Sequence, residues 1–363
     1  MKKRDFIKST LLAGAGLWSI PSFGGNSVSV GKKTSGFKHW VWENPNPEDD
    51  DQKLKEKYAH YHRAGIRGMF FENDSEKHFR IAKKAGLETH RWMWTMNRGD
   101  QDILKNHPEW YAVSRSGKSC ATDPPYVGYY RWLCPSKPEV LEFLKDQVQT
   151  ILNNDYIDGI HLDYIRYCDV ILPVNLWKTY GIDQSRELPE YDFCYCPTCR
   201  ANYKSKTGID PLEMEYPDQS PSWRKYRYAQ INRVVNQLSD VAHQSGKLIT
   251  AAVFPTPEIA RRIVRQDWTN WKLDAVCPMI YHGFYKEQVS WIGDAVEEGI
   301  QFLSGKFPLY AGLYLPDFKS DKELEQGIRF ALQNGASGIS FFGNVTESTL
   351  SSLEIAQADI QLK

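Results

Sequence analysis

The segment Asp158-Gly-Ile-His-Leu-Asp-Tyr-Ile-Arg-Tyr167 sets a histidine and a carboxylate two residues apart in an apolar run. In an extended chain, alternation turns His161, Asp163 and Ile165 to one side and Leu162 and Tyr164 to the other. Burying such a pair is costly unless the groups are used or mutually satisfied. Asp163 is therefore the first candidate for a catalytic carboxylate, and Arg166 is the cation expected to keep it ionised. The competing structural reading is a His–Asp–Arg network that only braces the core. A carboxylate that assists bond cleavage commonly works with a second carboxyl group that protonates the leaving atom. Glu72 and Asp317 are the candidates, since each follows an apolar strand-like run. Glu43 is similarly placed, and Asp267 reads as structural.

Side chains suited to hold a sugar recur at other run ends. His90, Trp92 and Trp94 share one side of the run His90–Asn97, and Trp94 and Asn97 could stack on and hydrogen-bond a sugar ring. Trp92 reads equally well as core. His39 and Trp42 come from the first run, and Tyr281 and His282 from the sixth. One aromatic run end is ordinary core packing, whereas four point to a carbohydrate cleft.

These residues need a scaffold. Strand-like runs appear at 37–42, 66–71, 88–95, 159–164, 248–254, 275–281, 309–314 and 338–342, alternating with helical patterns such as 51–64, 138–153, 223–244 and 321–334. Gly65, Gly86, Gly159, Gly246 and Gly338 punctuate entries into strands, as glycines after helices do. Eight strands in strict alternation with helices predict a (β/α)8 TIM barrel. No glycine-rich loop follows the first strand, which argues against a dinucleotide-binding sheet. Two connections, 96–137 after strand three and 165–222 after strand four, are long enough to imply function. Both would lie on the C-terminal face, where barrel sites are built.

DGIHLDYIRY resembles the strand-four signature of the family 10-like glycosyl hydrolases, bacterial barrel proteins. The segments VRQDWTNWKLDAVCPMIYHGFY (264–285) and CYCPTCRANY (194–203) extend the resemblance. It runs from about Phe37 to the C-terminus. It implies a barrel with glycosidase activity and gives Asp163 the nucleophile's role, with no cofactor required for catalysis.

Cys194, Cys196 and Cys199 form a CxCxxC triplet in the second long connection. Three thiols this close can hold a structural zinc with a fourth ligand, such as Cys168 or a histidine. A disulfide with one spare thiol is the alternative. Cys120, Cys134 and Cys277 read as buried thiols.

The chain has 45 basic and 45 acidic side chains, which gives no electrostatic reason to expect nucleic acid or a membrane surface as partner. Its 12 Trp, 20 Tyr and 16 Phe suit a carbohydrate partner but also fill cores. The start, MKKRDFIK followed by LLAGAGLWSI, reads as an export signal resembling a twin-arginine signal with lysine for the first arginine. Residues 1–30 are thus expected to be signal and linker. Residues 31–363 would form one exported barrel, periplasmic or secreted, with no membrane span. The leading expectation is a two-carboxylate glycoside hydrolase. A non-catalytic carbohydrate-binding barrel is a second reading. A metal-dependent hydrolase of sugar esters or amides is a third, which requires His39, His90, His161 and His282 to converge.

Overall fold

A computed structural model describes residues 36–361, so the proposed export signal lies outside the described residues. Eight parallel strands alternate with helices: β1 (His39–Glu43), β2 (Ile66–Phe71), β3 (Glu88–Trp94), β4 (Gly159–Asp163), β5 (Leu248–Val253), β6 (Ala275–Pro278), β7 (Tyr310–Tyr314) and β8 (Gly338–Phe342). Their order is β6-β5-β4-β3-β2-β1-β8-β7. The seam between β6 and β7 is joined by two parallel bridges, Val276 to Leu309 and Met279 to Gly312. The chain is a (β/α)8 TIM barrel, as the alternation predicts. Gly312 is what lets the seam close. A Cβ there would stand 2.6 Å from the Pro278 carbonyl oxygen, so a larger residue would push the two strands apart.

Alternation sorts each strand into two faces. Trp40, Trp42, Phe70, Trp92, Ala252, Cys277 and Tyr310 pack together inside the barrel. Val41, Met69, Phe71, Met93, Ile160 and Leu162 join the larger core between strands and helices. Trp40 stacks flat on Phe70 with ring centres 4.5 Å apart, so aromatic faces fill the barrel's middle layer. A hydrogen-bonded chain crosses this interior. Lys38 pairs with Glu88 at 2.7 Å, Glu88 meets His90 at 2.9 Å, and Thr250 Oγ1 meets both His90 Nδ1 (3.1 Å) and His161 Nδ1 (2.8 Å).

The two long connections fold against each other on the C-terminal face. Short antiparallel bridges tie Asn97 to Trp132, Tyr111 to Leu133 and, between the two connections, Ser114 to Phe193. The second connection then enters the long helix Pro221–Gln244, capped by Ser220, whose side chain accepts from Trp223 N–H. Asp192 is clamped beneath it. Burial alone would raise this carboxyl, but Arg227 and Arg265 beside it and the Tyr195 hydroxyl (2.6 Å) hold it below its ordinary value. No described helix is long and apolar enough to cross a membrane.

Candidate active site

The C-terminal mouth of the barrel holds a cavity of about 430 Å³. Asp163, Glu72, Trp42, Trp94, Arg166 and Tyr281 all line it. Ten of the lining side chains are aromatic, enough to place a ring face on more than one side of a sugar. An open depression of about 730 Å³ adjoins the cavity and shares Glu72, Trp92 and Trp94 with it.

Asp163 ends β4, where the period of two turns it inward above His161. Both its oxygens accept N–H donors: Trp92 Nε1 at 3.0 Å and the Tyr164 amide at 2.6 Å. The β3–β4 ladder holds this corner rigid, with Thr95 N–H on the Asp163 carbonyl (2.9 Å) and Met96 N–H on that of Tyr164 (3.2 Å). Tyr164 sits at φ +48°, a left-handed conformation that costs a non-glycine residue about 1–2 kcal/mol. The carboxylate faces the cavity but is enclosed by protein on its other sides. That burial raises its pKa above the ordinary value, against the pull of Tyr164 N–H, Trp92 and Arg166, and Glu72 pushes it further up.

Arg166 does not pair with Asp163. Its guanidinium bonds Asp169 at 2.8 Å and lies over the rings of Trp132 and Phe254. The expectation that Arg166 keeps Asp163 ionised is corrected on that ground. Its charge is already neutralised by a nearer partner, and desolvation outweighs what reaches Asp163.

Glu72 follows β2. Phe70 points inward, so Glu72, two residues on, does too. Burial raises its pKa, while Arg91 and the neighbouring Trp94 indole pull the other way. The Trp94 Nε1–H makes no well-formed hydrogen bond, so its pull on Glu72 is weaker than that of Trp92 on Asp163. The two carboxyl groups therefore flank β3, each with a tryptophan of that strand beside it.

Asp317 lies elsewhere. It accepts the Gly283 amide at 3.0 Å and lines a separate depression with His282 and Glu287. It therefore anchors the turn after β6, and the chain does not bring it beside Asp163 in the cavity. Asn97 is likewise outside, its Oδ1 accepting from Arg131 N–H at 2.8 Å to pin the first long connection. Nor do the four histidines converge. His39 is buried, and its Nδ1 accepts from Ile339 N–H. His90 and His161 lie in the interior chain on Thr250, with His161 stacked on Phe70 at 3.7 Å. His282 packs on Phe318.

Trp92 is both core and site, packing inside the barrel while its indole N–H reaches Asp163 at the cavity wall. Other lining residues carry no signal in the sequence. Asp169 and Tyr130 sit in irregular loop where no periodicity points inward. Among the cysteines, the fourth member of the triplet's cluster is Cys134, 60 positions before Cys194. Cys168 instead points its thiol at the Asp169 carbonyl.

The profile of the family described as Glycosyl hydrolase-like 10 matches residues 76–306, more than half of the chain. The chain belongs to this family. The Glycosyl hydrolase-like 10 match spans both long connections and strands β3 to β6, so it includes Asp163 and most of the cavity's walls. No curated protein matches the chain. Among solved structures it is similar to the PgaB (BpsB) glycoside hydrolase domain from Bordetella bronchiseptica, at 12% identity and a TM-score of 0.64, covering 89% of this chain and 97% of that one. It is also similar to the catalytic domain of a β-amylase from Paenibacillus polymyxa, at 12% identity and a TM-score of 0.59, covering 88% of this chain and 97% of that one. At such identities these likenesses bear on the fold alone.

Proposed function

We propose that this member of the Glycosyl hydrolase-like 10 family hydrolyses glycosidic bonds in an oligo- or polysaccharide, with Asp163 and Glu72 as the working pair. The observation that carries the reading is two carboxyl groups, both raised by burial, facing one aromatic-lined cavity at a barrel's C-terminal mouth. A lone carboxylate can accept from sugar hydroxyls in a binding site, whereas two with raised pKa values facing one cavity suit acid–base chemistry.

The environments assign the roles. Asp163 accepts two well-formed N–H bonds, which suit an ionised, acceptor-only carboxylate. Asp163 would face the anomeric carbon and meet its positive charge. Glu72 lacks equivalent donors, and two like charges in one cavity favour protonating one partner. Glu72 would then give its proton to the leaving oxygen as the glycosidic C–O bond breaks, and a water molecule would add its oxygen at the anomeric carbon and return a proton to the carboxylate pair. Its place on the wall shared by the deep cavity and the open depression supports this role. The sugar undergoing attack would occupy the first and the departing part of the chain the second. Tyr281, whose phenol is pushed well above its usual range by burial and by nearby Asp163, stays a hydrogen-bond donor to substrate. The Arg166–Asp169 pair offers further polar contacts on the same wall. The pattern of residues 1–30 supports a substrate met outside the cytoplasm.

The test is a panel of polysaccharides and aryl glycosides, with Asp163→Asn run beside the wild type. Sugar released by the wild type and abolished in the variant supports the reading. Tight binding of a glycan with no turnover on any substrate would replace it with the carbohydrate-binding barrel.

A further inference from the structure

Cys134, Cys194, Cys196 and Cys199 are all buried, and their sulfurs lie within 4.8 Å of one another. Cys134 Sγ stands 3.6 Å from Cys196 Sγ and 3.5 Å from Cys199 Sγ. Four thiolates around a tetrahedral zinc, each about 2.3 Å from it, stand about 3.8 Å apart. A disulfide would bring a pair to about 2.05 Å. One sulfur close to two others at nearly equal distance fits a tetrahedron better than two bonded pairs. We propose that these four cysteines bind one zinc ion that staples the connection after β3 to the connection after β4.

The surroundings suit thiolates. Val113 N–H donates to Cys194 Sγ at 3.4 Å, and the Cys199 thiol donates to Ser136 Oγ at 3.1 Å, a hydroxyl that would donate in return to a thiolate. Cys196 is the N-cap of the helix Pro197–Thr207, whose N-terminus favours negative charge. Lys137, three residues past Cys134, reaches Thr198 Oγ1 at 3.2 Å between the last two cysteines. Its cation offsets part of the charge of four thiolates on a divalent ion. Protein fills all four positions, which is the arrangement of a structural zinc and leaves no place for substrate.

The ion would bear on the cavity from a distance. Cys134 lies four residues past Tyr130, and the connection held by the other three cysteines begins with Tyr164, Arg166 and Asp169. Stapling the two connections fixes one wall of the cavity. Without the ion, four buried thiols remain with few acceptors, and the two connections are held by the Asp192 clamp, the Ser114–Phe193 bridge and hydrogen bonds such as Tyr195 N–H to the Val113 carbonyl and Tyr126 Oη–H to the Asp169 carbonyl. This inference does not depend on the glycosidase reading.

The test is elemental analysis of the full chain purified in chelator-free buffer, with zinc release by an organomercurial followed by a metallochromic dye. About one zinc per chain is expected, released in step with mercuration of the cluster. Cys134→Ala should fall below about a tenth of an equivalent, and Cys134→His should retain the ion as a three-cysteine, one-histidine site. Cys277→Ser, outside the cluster, should keep full zinc. If Cys134→Ala does not fold, the stoichiometry and release in the wild type still decide. The proposal is overturned if the wild type carries no zinc, carries iron in its place, or shows by denaturing mass spectrometry the mass lowered by two disulfides.

Discussion

Replacing Asp163 by asparagine should change the chain's stability in a way that depends on pH. Because burial raises the folded-state pKa of Asp163 above the unfolded value of about 3.8, the unfolded chain loses this proton at lower pH than the folded one. Between those two values the folded state binds more protons, so wild-type stability falls as pH rises. Each unit of separation amounts to about 1.36 kcal/mol. Asparagine has no such proton, so the variant's stability relative to wild type should climb through the window and level off above it. A pH-independent offset opposes the gain. The amide can accept from Trp92 Nε1 or from Tyr164 N–H through its one oxygen, and the displaced donor costs about 1 kcal/mol. The difference should therefore be near zero or negative below pH 3.8 and rise above it, with a slope of up to about 1.36 kcal/mol per pH unit inside the window, before levelling off. Urea denaturation of both proteins at half-unit steps from pH 3.5 to 8 measures it without a substrate. A difference that stays flat, or falls with rising pH, would refute the claim that Asp163 is held ionised at a cost.

Burial depresses the His39 pKa to about 4, so below pH 6.5 the unfolded chain takes up a proton that the folded chain refuses. Its contribution is complete above pH 6.5 and is lost as pH falls through 4, about 3.4 kcal/mol in all, of which roughly 2–3 kcal/mol goes between pH 7 and 4.5. His39→Asn, which keeps an acceptor for Ile339 N–H, should flatten the stability profile by that amount between pH 7 and 4.5, as read by urea titration. Asp169→Asn leaves Arg166 charged and buried between Trp132 and Phe254, and should destabilise by about 3–5 kcal/mol. The double replacement Arg166→Met/Asp169→Leu should recover most of that loss in the same assay, and no recovery would mean that the pair matters for more than charge balance.

Much of this fold is legible because it repeats. Eight strand runs alternate with helical patterns, five of them entered through a glycine, and each repeat gives the same answer about direction and layer. Alternation also placed Asp163 and Trp94 in the cavity, since a strand end inherits the strand's period. Glu72 follows the same rule from Phe70. Asp317 does not, because a turn of 3-10 helix (Leu315–Asp317) breaks the period after β7 and carries the carboxylate toward Gly283. His90 and His161 obey the alternation and point inward, but each lies two residues below a lining residue of its strand, Trp92 and Asp163, so they meet Thr250 below the cavity floor. Arg166 follows Asp163 closely in sequence, yet the left-handed turn at Tyr164 sends it to Asp169. Cys134 gave no sign of joining the triplet, because contact between two long loops leaves no period in either.

The most direct measurement compares Glu72→Gln and Asp163→Asn with the wild type on two substrates, a glycan that the wild type cleaves and the matching glycoside with a dinitrophenolate leaving group. A departing phenolate needs no proton, so Glu72→Gln should lose at least about 100-fold in kcat/KM on the glycan while keeping most of its rate of phenolate release. Asp163→Asn should lose several orders of magnitude on both. Equal losses in both variants on both substrates, or full glycan cleavage by Glu72→Gln, would contradict the division of labour between the two carboxyl groups.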